Sequence, residues 1–460
     1  MAGNKRFGRR VALAAAMVVA ATLLVPVAAV AAPAGASGPA AVAVAGPAAA
    51  QRSAVVRALE GVAQPLRTTE ARGGTADLRA LGAMIGDAKV VGLGEATHGS
   101  HEFFAMKQRV LRYLVEEKGF TAFALEASWS SGLQIDAYVQ GGPGEARQVV
   151  KDALGGSPWD REEFAELISW MRSYNQSRPG NPVHFVGDDL GLPRLGDPLF
   201  TQVTSYVRGA RPEVLPQLEE LYRGLRPLDD VFAYLREPLE VRRANAATAQ
   251  KALDLVTASG ASGTTDYSWA VQHARNIAQT FAFATLDLAD PASVSAAQQI
   301  RDRAMADNVT RWQRHTGGKV LVSAHNGHAG YASTDPFLYP KPQGAQLRDT
   351  YGRGYVAIGF TFNSGSFLTN DAVLTDNWKT VTVPSATPDM NEHTLDRVRY
   401  RDYYVDLRTA PKAARDWLTV SRSTYDAGSV YVNDPMPRLA IGQAYDVLIH
   451  LNQVTQARTF

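Results

Sequence analysis

Five short apolar runs, at residues 90–93, 121–125, 183–186, 320–324 and 356–361, constrain the fold more than any other feature of the chain. Each has the length of a buried strand, and each stops at once at glycine or polar residues. The first is followed by Gly94-Glu95-Ala96-Thr97-His98 and the second by Glu126. The third is followed by Gly187-Asp188-Asp189, the fourth by His325-Asn326-Gly327-His328, and the fifth by Phe362-Asn363-Ser364-Gly365. Helical patterns lie between several of them. Apolar runs spaced by helices describe a mostly parallel central sheet flanked by helices, an α/β fold. In such sheets ligands bind beyond the carboxyl ends of the strands. Four of the five runs put ionisable residues at that end, so the chemistry is expected there.

Residues 193–316 contain no convincing strand. Helices are expected at 214–223, 239–258, 269–286 and 294–314, separated by Gly, Pro and Ser breaks. This helical insertion is expected to lie over the strand carboxyl ends as a lid or substrate wall, or else to pack on a sheet face. Residues 52–62 and 75–85 also read as helices. From about residue 366 the chain is loop-rich, and its runs at 403–405 and 445–449 are expected as edge strands. No Pro/Gly/Ser linker divides residues 52–460, which are expected to be one domain with a sizeable core.

Before that domain lies a segment of different character. Lys5, Arg6, Arg9 and Arg10 precede an uncharged run from 11 to 30, and Ala29-Val30-Ala31 matches an A-x-A cleavage site. Residues 1–32 therefore read as a secretory signal and 33–51 as an Ala/Gly/Pro-rich leader, so a secreted protein is expected, with no stable membrane association after cleavage. The formal net charge is +2. Those four basic residues account for its sign, since no acidic residue precedes position 51; without them the balance is +2 − 4 = −2. That gives no electrostatic case for nucleic acid. The chain has no cysteine. Disulfides, thiolate nucleophiles and Cys-ligated zinc are excluded.

The turn after the first run holds most of the chemistry. Gly92 and Gly94 mark backbone that bends or is closely approached. Ser100 is a candidate N-cap with Glu102 in the first helical turn, and residues 103, 106, 110, 111 and 114 recur at helical spacing. Glu95 and His98 thus sit where the chain leaves a strand. Glu126 closes a strand, where a carboxylate must be paired or solvated; it is either a partner for His98 or a water, or an acid held by an Arg or a helix N-terminus. Of His325 and His328, one is a candidate catalytic group and the other a support. Asp188 and Asp189 line the cleft or cap a turn. Arg301 and Asp302 lie on a helix, facing the cleft or solvent. His101 is expected at the cleft or in solvent and His184 in a core or edge position; the remaining histidines have no such context. No Gly-x-Ser-x-Gly elbow and no phosphate-binding glycine loop occurs. Two Glu and two or three His suit general-base activation of water. The same set also suits a metal held by His and carboxylate, or a binding protein without turnover.

Gly94-Glu95-Ala96-Thr97-His98-Gly99-Ser100, followed by His101-Glu102-Phe103-Phe104, resembles the erythromycin esterase family. Further motifs appear in order: 123–126, Gly187-Asp188, 301–306, Ala324-His325-Asn326 with His328, and Gly359-Phe360-Thr361-Phe362. The resemblance spans roughly residues 52–460. It implies an α/β hydrolase with a helical insertion that opens ester or lactone bonds by water attack, as in macrolide inactivation and antibiotic resistance. It implies no cofactor and no covalent acyl-enzyme. Carried over by position, it implies Glu95, His98, Glu126 and His325 as catalytic residues, with a histidine as general base. His328, Asp188 and Arg301 are the supporting candidates.

Overall fold

The five apolar runs become five adjacent strands of one sheet. A computed structural model describes residues 47–258, 264–371 and 377–460. The expected signal at 1–32 and the leader up to residue 46 lie outside the described residues. In chain order the strands are β1 (Gln64–Pro65), β2 (Val90–Leu93), β3 (Phe120–Ser128), β4 (His184–Asp189), β5 (Lys319–Ser323), β6 (Tyr355–Asn370), β7 (Trp378–Val383), β8 (Tyr403–Asp406), β9 (Arg422–Ser423), β10 (Arg438–Leu439) and β11 (Val447–Val454). β9 and β10 form a separate ribbon; the others form a nine-stranded sheet ordered β1-β8-β11-β6-β2-β5-β3-β4, with β7 paired to β6. From β11 to β4 every pair along this order is parallel. β1, β7 and β8 add antiparallel pairs.

Register explains why the polar residues meet. Leu93 lies opposite Ser323, Ser323 opposite Leu125, and Leu125 opposite Gly187. Four strands therefore end at one level, and residues 95–98, 324–328, 126 and 188–189 emerge together. The strands are apolar because both faces are covered. Leu93, Phe123, Leu125 and Leu321 belong to one core, and Ala122, Ala124, Val320 and Val322 to the other.

The helical insertion covers the second face. Leu199, Phe200, Ile277 and Val309 pack in the core with those small and β-branched strand residues. Its last helices reach the strand ends. Four helices concern the site: α1 (His101–Lys118), α2 (Glu162–Ser177), α3 (Thr265–Phe283) and α4 (Pro291–Thr316). Asn276 on α3 donates to Asp189 O at 3.1 Å, and α4 carries Arg301 and Asp302.

Three expectations need correction. Neither the run at 403–405 nor that at 445–449 is an edge strand: β8 lies between β1 and β11, and β11 lies between β6 and β8 and is bonded on both sides. Its residues 447–449 and 451 are buried in the two cores, as an interior strand requires. The run at 356–361 opens a longer strand, β6, whose second half pairs with β7. Ser100 occupies the N-cap position of α1, but its hydroxyl turns to Thr97 Oγ1 at 2.5 Å and does not cap.

Candidate active site

The turn after β2 is fixed from three sides. A Cβ on Gly94 would lie 2.1 Å from Asn326 Oδ1, and one on Gly99 would lie 2.1 Å from Leu368 O, so only glycine fits. The Asn326 N–H donates to Glu95 O at 2.9 Å. The C-terminal loop grips the other side: the Ala427 N–H donates to Ala96 O at 2.7 Å, and the His98 N–H donates to Ala427 O at 3.2 Å.

Glu95 is completely buried. Its Oε1 is 2.5 Å from His98 Nδ1, and its Oε2 accepts from the Lys107 ammonium. Burial alone would raise the carboxyl's pKa, but Lys107 and His98 hold it below its ordinary value, so Glu95 is ionised. Lys107 stands on α1 with one side chain's reach to this turn, and its Nζ also donates to Ala324 O at 3.4 Å. The His98 ring meets Trp159 edge-on at 5.4 Å and the His325 ring at 5.1 Å between centroids. Its Nε2 makes no hydrogen bond among the described residues.

A second group centres on Arg301. Its Nε and Nη2 grip Asp189 at 2.9 and 2.6 Å, and Nη2 also donates to Glu126 Oε1 at 2.8 Å. Glu126 Oε2 accepts the His325 backbone N–H at 2.8 Å. Burial opposes charge on Glu126, but His328, Arg301, His98 and the His325 amide hold its pKa far below the carboxylate range. His328 Nδ1 lies 2.7 Å from Asp302 Oδ1, and its Nε2 lies 3.4 Å from Glu126 Oε1. Asp188 is fully buried nearby, with Oδ2 accepting from Gln343 Nε2 at 2.7 Å and Oδ1 without a hydrogen-bond partner among the described residues. Burial pushes its pKa well up.

His325 joins the two groups. It is the N-cap of the short helix Asn326–Ala329, and its Nδ1 accepts the Gly327 N–H at 3.2 Å. Its Nε2 is 3.1 Å from Asp426 Oδ1. Thus Glu95, His98, His325, His328, Glu126, Asp188 and Arg301 all come to one end of the sheet. Glu126 has the arginine and helix N-terminus as partners, and no direct bond to His98. His101 points elsewhere: its Nδ1 is 2.6 Å from Glu163 Oε1 on α2, and with Glu70, Gln108 and Arg458 it lines a separate cavity of about 490 Å³. His184 is a half-buried residue at the start of edge strand β4, 3.1 Å from Asp136. Two site residues were not found from the sequence. Lys107 falls among the apolar positions 103, 106, 110 and 111, a charge on a buried stripe, and that was a usable signal. Asp426 lies in a loop with no periodic cue. Among the described residues no group of three or more His, Asp or Glu is arranged to hold a metal ion.

The erythromycin esterase family model matches residues 115–454. The erythromycin esterase type II of Escherichia coli is 26% identical over 318 residues, which are 63% of this chain and 72% of that protein. Among solved structures, one described as a succinoglycan biosynthesis protein is 29% identical with a TM-score of 0.78, covering 88% of this chain and 98% of that one. An erythromycin esterase mutant in its open conformation is 17% identical with a TM-score of 0.65, covering 85% of this chain and 98% of that one, a likeness of fold. With a family match over most of its length and the β2 turn, Glu126 and His325 gathered at one end of the sheet, the chain belongs to the erythromycin esterase family.

Proposed function

We propose that the protein hydrolyses carboxylic ester or lactone bonds by direct attack of water, with His98 as general base. Family membership supports a hydrolase of the erythromycin esterase type. The observation that carries the mechanism is the Glu95–His98 pair: the buried carboxylate holds Nδ1 at 2.5 Å and leaves Nε2 unbonded among the described residues. A neutral imidazole so oriented takes a proton from water as the oxygen attacks the carbonyl carbon. Glu95 then stabilises the imidazolium, and the Lys107 ammonium keeps Glu95 ionised. The carbonyl oxygen becomes an oxyanion as the tetrahedral intermediate forms. When the ester C–O bond breaks, His98 returns the proton to the departing alkoxide. No serine or cysteine nucleophile is required.

Macrolide lactones are the first substrate class to test, from the name of the Escherichia coli relative. Purified protein is incubated with macrolides, other lactones and simple esters, and products are read by mass spectrometry for the gain of one water. Repeating a positive case in ¹⁸O-labelled water with enzyme in excess should put one label in the product acid in the first turnover. Enzyme quenched in acid during turnover should show no added mass in intact-protein mass spectrometry, and an acyl adduct on the protein would overturn direct water attack. Export is part of the same proposal. A mature protein in the culture medium, beginning near residue 32, is the expected result, and full-length protein retained in the cell would refute it.

A further inference from the structure

The C-terminal loop brings to the site a carboxylate that the proposed mechanism does not yet use. Asp426 Oδ1 faces His325 Nε2 at 3.1 Å, off the ideal hydrogen-bond line, and neither atom has another partner among the described residues. Asp426 is itself anchored, because its Oδ2 accepts from Thr334 Oγ1 at 2.6 Å. The next residue, Ala427, is bonded to the β2 turn through Ala96 O and the His98 N–H. One loop therefore holds both histidines in place.

The ring of His325 has only one way to carry a single proton. Its Nδ1 lone pair is taken by the Gly327 N–H at the start of the short helix, so the proton stays on Nε2. The Asp426 carboxylate lies 3.1 Å from that nitrogen, off the line of its N–H. We infer that Asp426 is a positioning residue: its carboxylate holds the His325 proton on Nε2 and keeps that ring in place against the His98 ring, 5.1 Å away between centroids. This rests on the proposed hydrolytic reading, in which His98 is the base and His325 the ring packed beside it.

The charges around the ring agree. Burial disfavours an imidazolium at His325, but Asp426, Glu126 and Glu95 outweigh it and raise the pKa. These three come from the C-terminal loop, β3 and the β2 turn. Lys107 and Arg301 are committed to Glu95 and to Glu126 with Asp189. Glu392 accepts the Tyr425 N–H on the same loop at 3.3 Å, and burial pushes it up to about 8. It is therefore mostly neutral at pH 7, and Asp426 is the loop's charge on the ring. A second proton on His325 would have to displace the Gly327 N–H from Nδ1.

The test uses the full chain with ¹⁵N-labelled histidine, comparing wild type, Asp426→Ala, Asp426→Asn and Thr334→Val. The His325 ring signals are assigned by their loss in His325→Gln. Wild type should show the Nε2–H tautomer. Asp426→Ala should lower the His325 pKa by about one unit or more, since an adjacent opposite charge shifts a pKa by about 1–3 units. On a hydrolysed ester it should lower kcat by about 10–100-fold with KM nearly unchanged, less than the ~10²–10⁴-fold worth of the general base itself. Thr334→Val should move both readouts the same way by less. Asp426→Asn keeps the side chain's volume and covers the case in which the alanine variant fails to fold; it should also lower the His325 pKa. A wild-type proton on Nδ1, or a His325 titration unchanged in Asp426→Asn, overturns the inference whatever the activity. A shifted titration in a protein that hydrolyses no ester leaves the inference standing and removes the hydrolytic reading alone.

Discussion

His98 Nδ1 and Glu95 Oε1 are 2.5 Å apart, and the carboxylate that makes this contact is shut off from solvent. A buried acceptor at that distance fixes the imidazole's tautomer and orientation together. Catalytic histidines gain from both, because the base must present a lone pair to water at the moment of attack. His98→Ala should therefore lower kcat by about 10²–10⁴-fold, the usual worth of a general base. Glu95 keeps Lys107 as its partner, so the variant should unfold in urea near the wild-type midpoint. Steady-state kinetics on a hydrolysed ester gives the answer; a variant that keeps more than about a tenth of wild-type kcat takes the base role away from His98.

Lys107 makes a different kind of contribution. It is almost fully buried, and its ammonium faces the Glu95 carboxylate. Removing one partner of a buried pair leaves an uncompensated charge and costs about 3–5 kcal/mol. Lys107→Ala should show that loss in urea denaturation, along with lost activity. The double variant Lys107→Met with Glu95→Gln removes both charges and should recover most of the stability while remaining inactive. If the double variant is no more stable than Lys107→Ala, the pair is not the source of the loss.

The sheet was legible in the sequence because burial on both faces writes itself as uninterrupted apolar runs. The site was legible because register brings the ends of those runs to one level. Which carboxylate serves which histidine was not legible. Glu126 looked like a neighbour of Glu95 and His98 because their runs are consecutive in the chain, but β5 lies between β2 and β3 in the sheet. Strand order in a parallel sheet is set by long crossovers, and it left Glu126 beside Arg301 and the His325 amide. The last strand, β11, misled for a related reason: a run at the end of the chain entered the middle of the sheet. Asp426 could not be read at all, since its position depends on how residues 424–429 lie across the β2 turn.

His273 gives a stability prediction that is independent of catalysis. It lies buried on α3, with Nδ1 accepting from Trp129 Nε1 at 3.0 Å, and burial lowers its pKa to about 4. In the unfolded chain it titrates near the ordinary 6.5. Between these values the unfolded state binds more protons, so stability rises with pH. The contribution is complete above about pH 6.5 and is lost as pH falls to about 4; at 1.36 kcal/mol per unit it amounts to about 3 kcal/mol. Urea unfolding of wild type and His273→Gln across pH 4–7 should show a steeper slope for wild type. Parallel curves would mean that another group carries the acid sensitivity.

Arg301 and Glu126 should fail to different extents. Arg301 neutralises two buried carboxylates, Asp189 and Glu126. Arg301→Met leaves both without their cation, and by the buried-pair cost it should lose at least about 3–5 kcal/mol. Glu126→Gln removes one of those two charges and leaves Arg301 paired with Asp189, so its cost at pH 7 should be smaller. It should also depend on pH with a known sign. Glu126 titrates far below the carboxylate range in the folded protein, held there against burial by His328, Arg301 and His98. Its contribution is therefore full above an unfolded pKa of about 4.3 and is lost only as pH falls below that. The stability gap between wild type and Glu126→Gln should stay constant from pH 7 to about 5 and close on further acidification. For activity, Glu126 has no direct bond to His98, so Glu126→Gln should lower kcat less than Glu95→Gln does. If Glu126→Gln instead lowers kcat as far as Glu95→Gln does, the two carboxylates act on the base together and the division of the site into two groups is wrong.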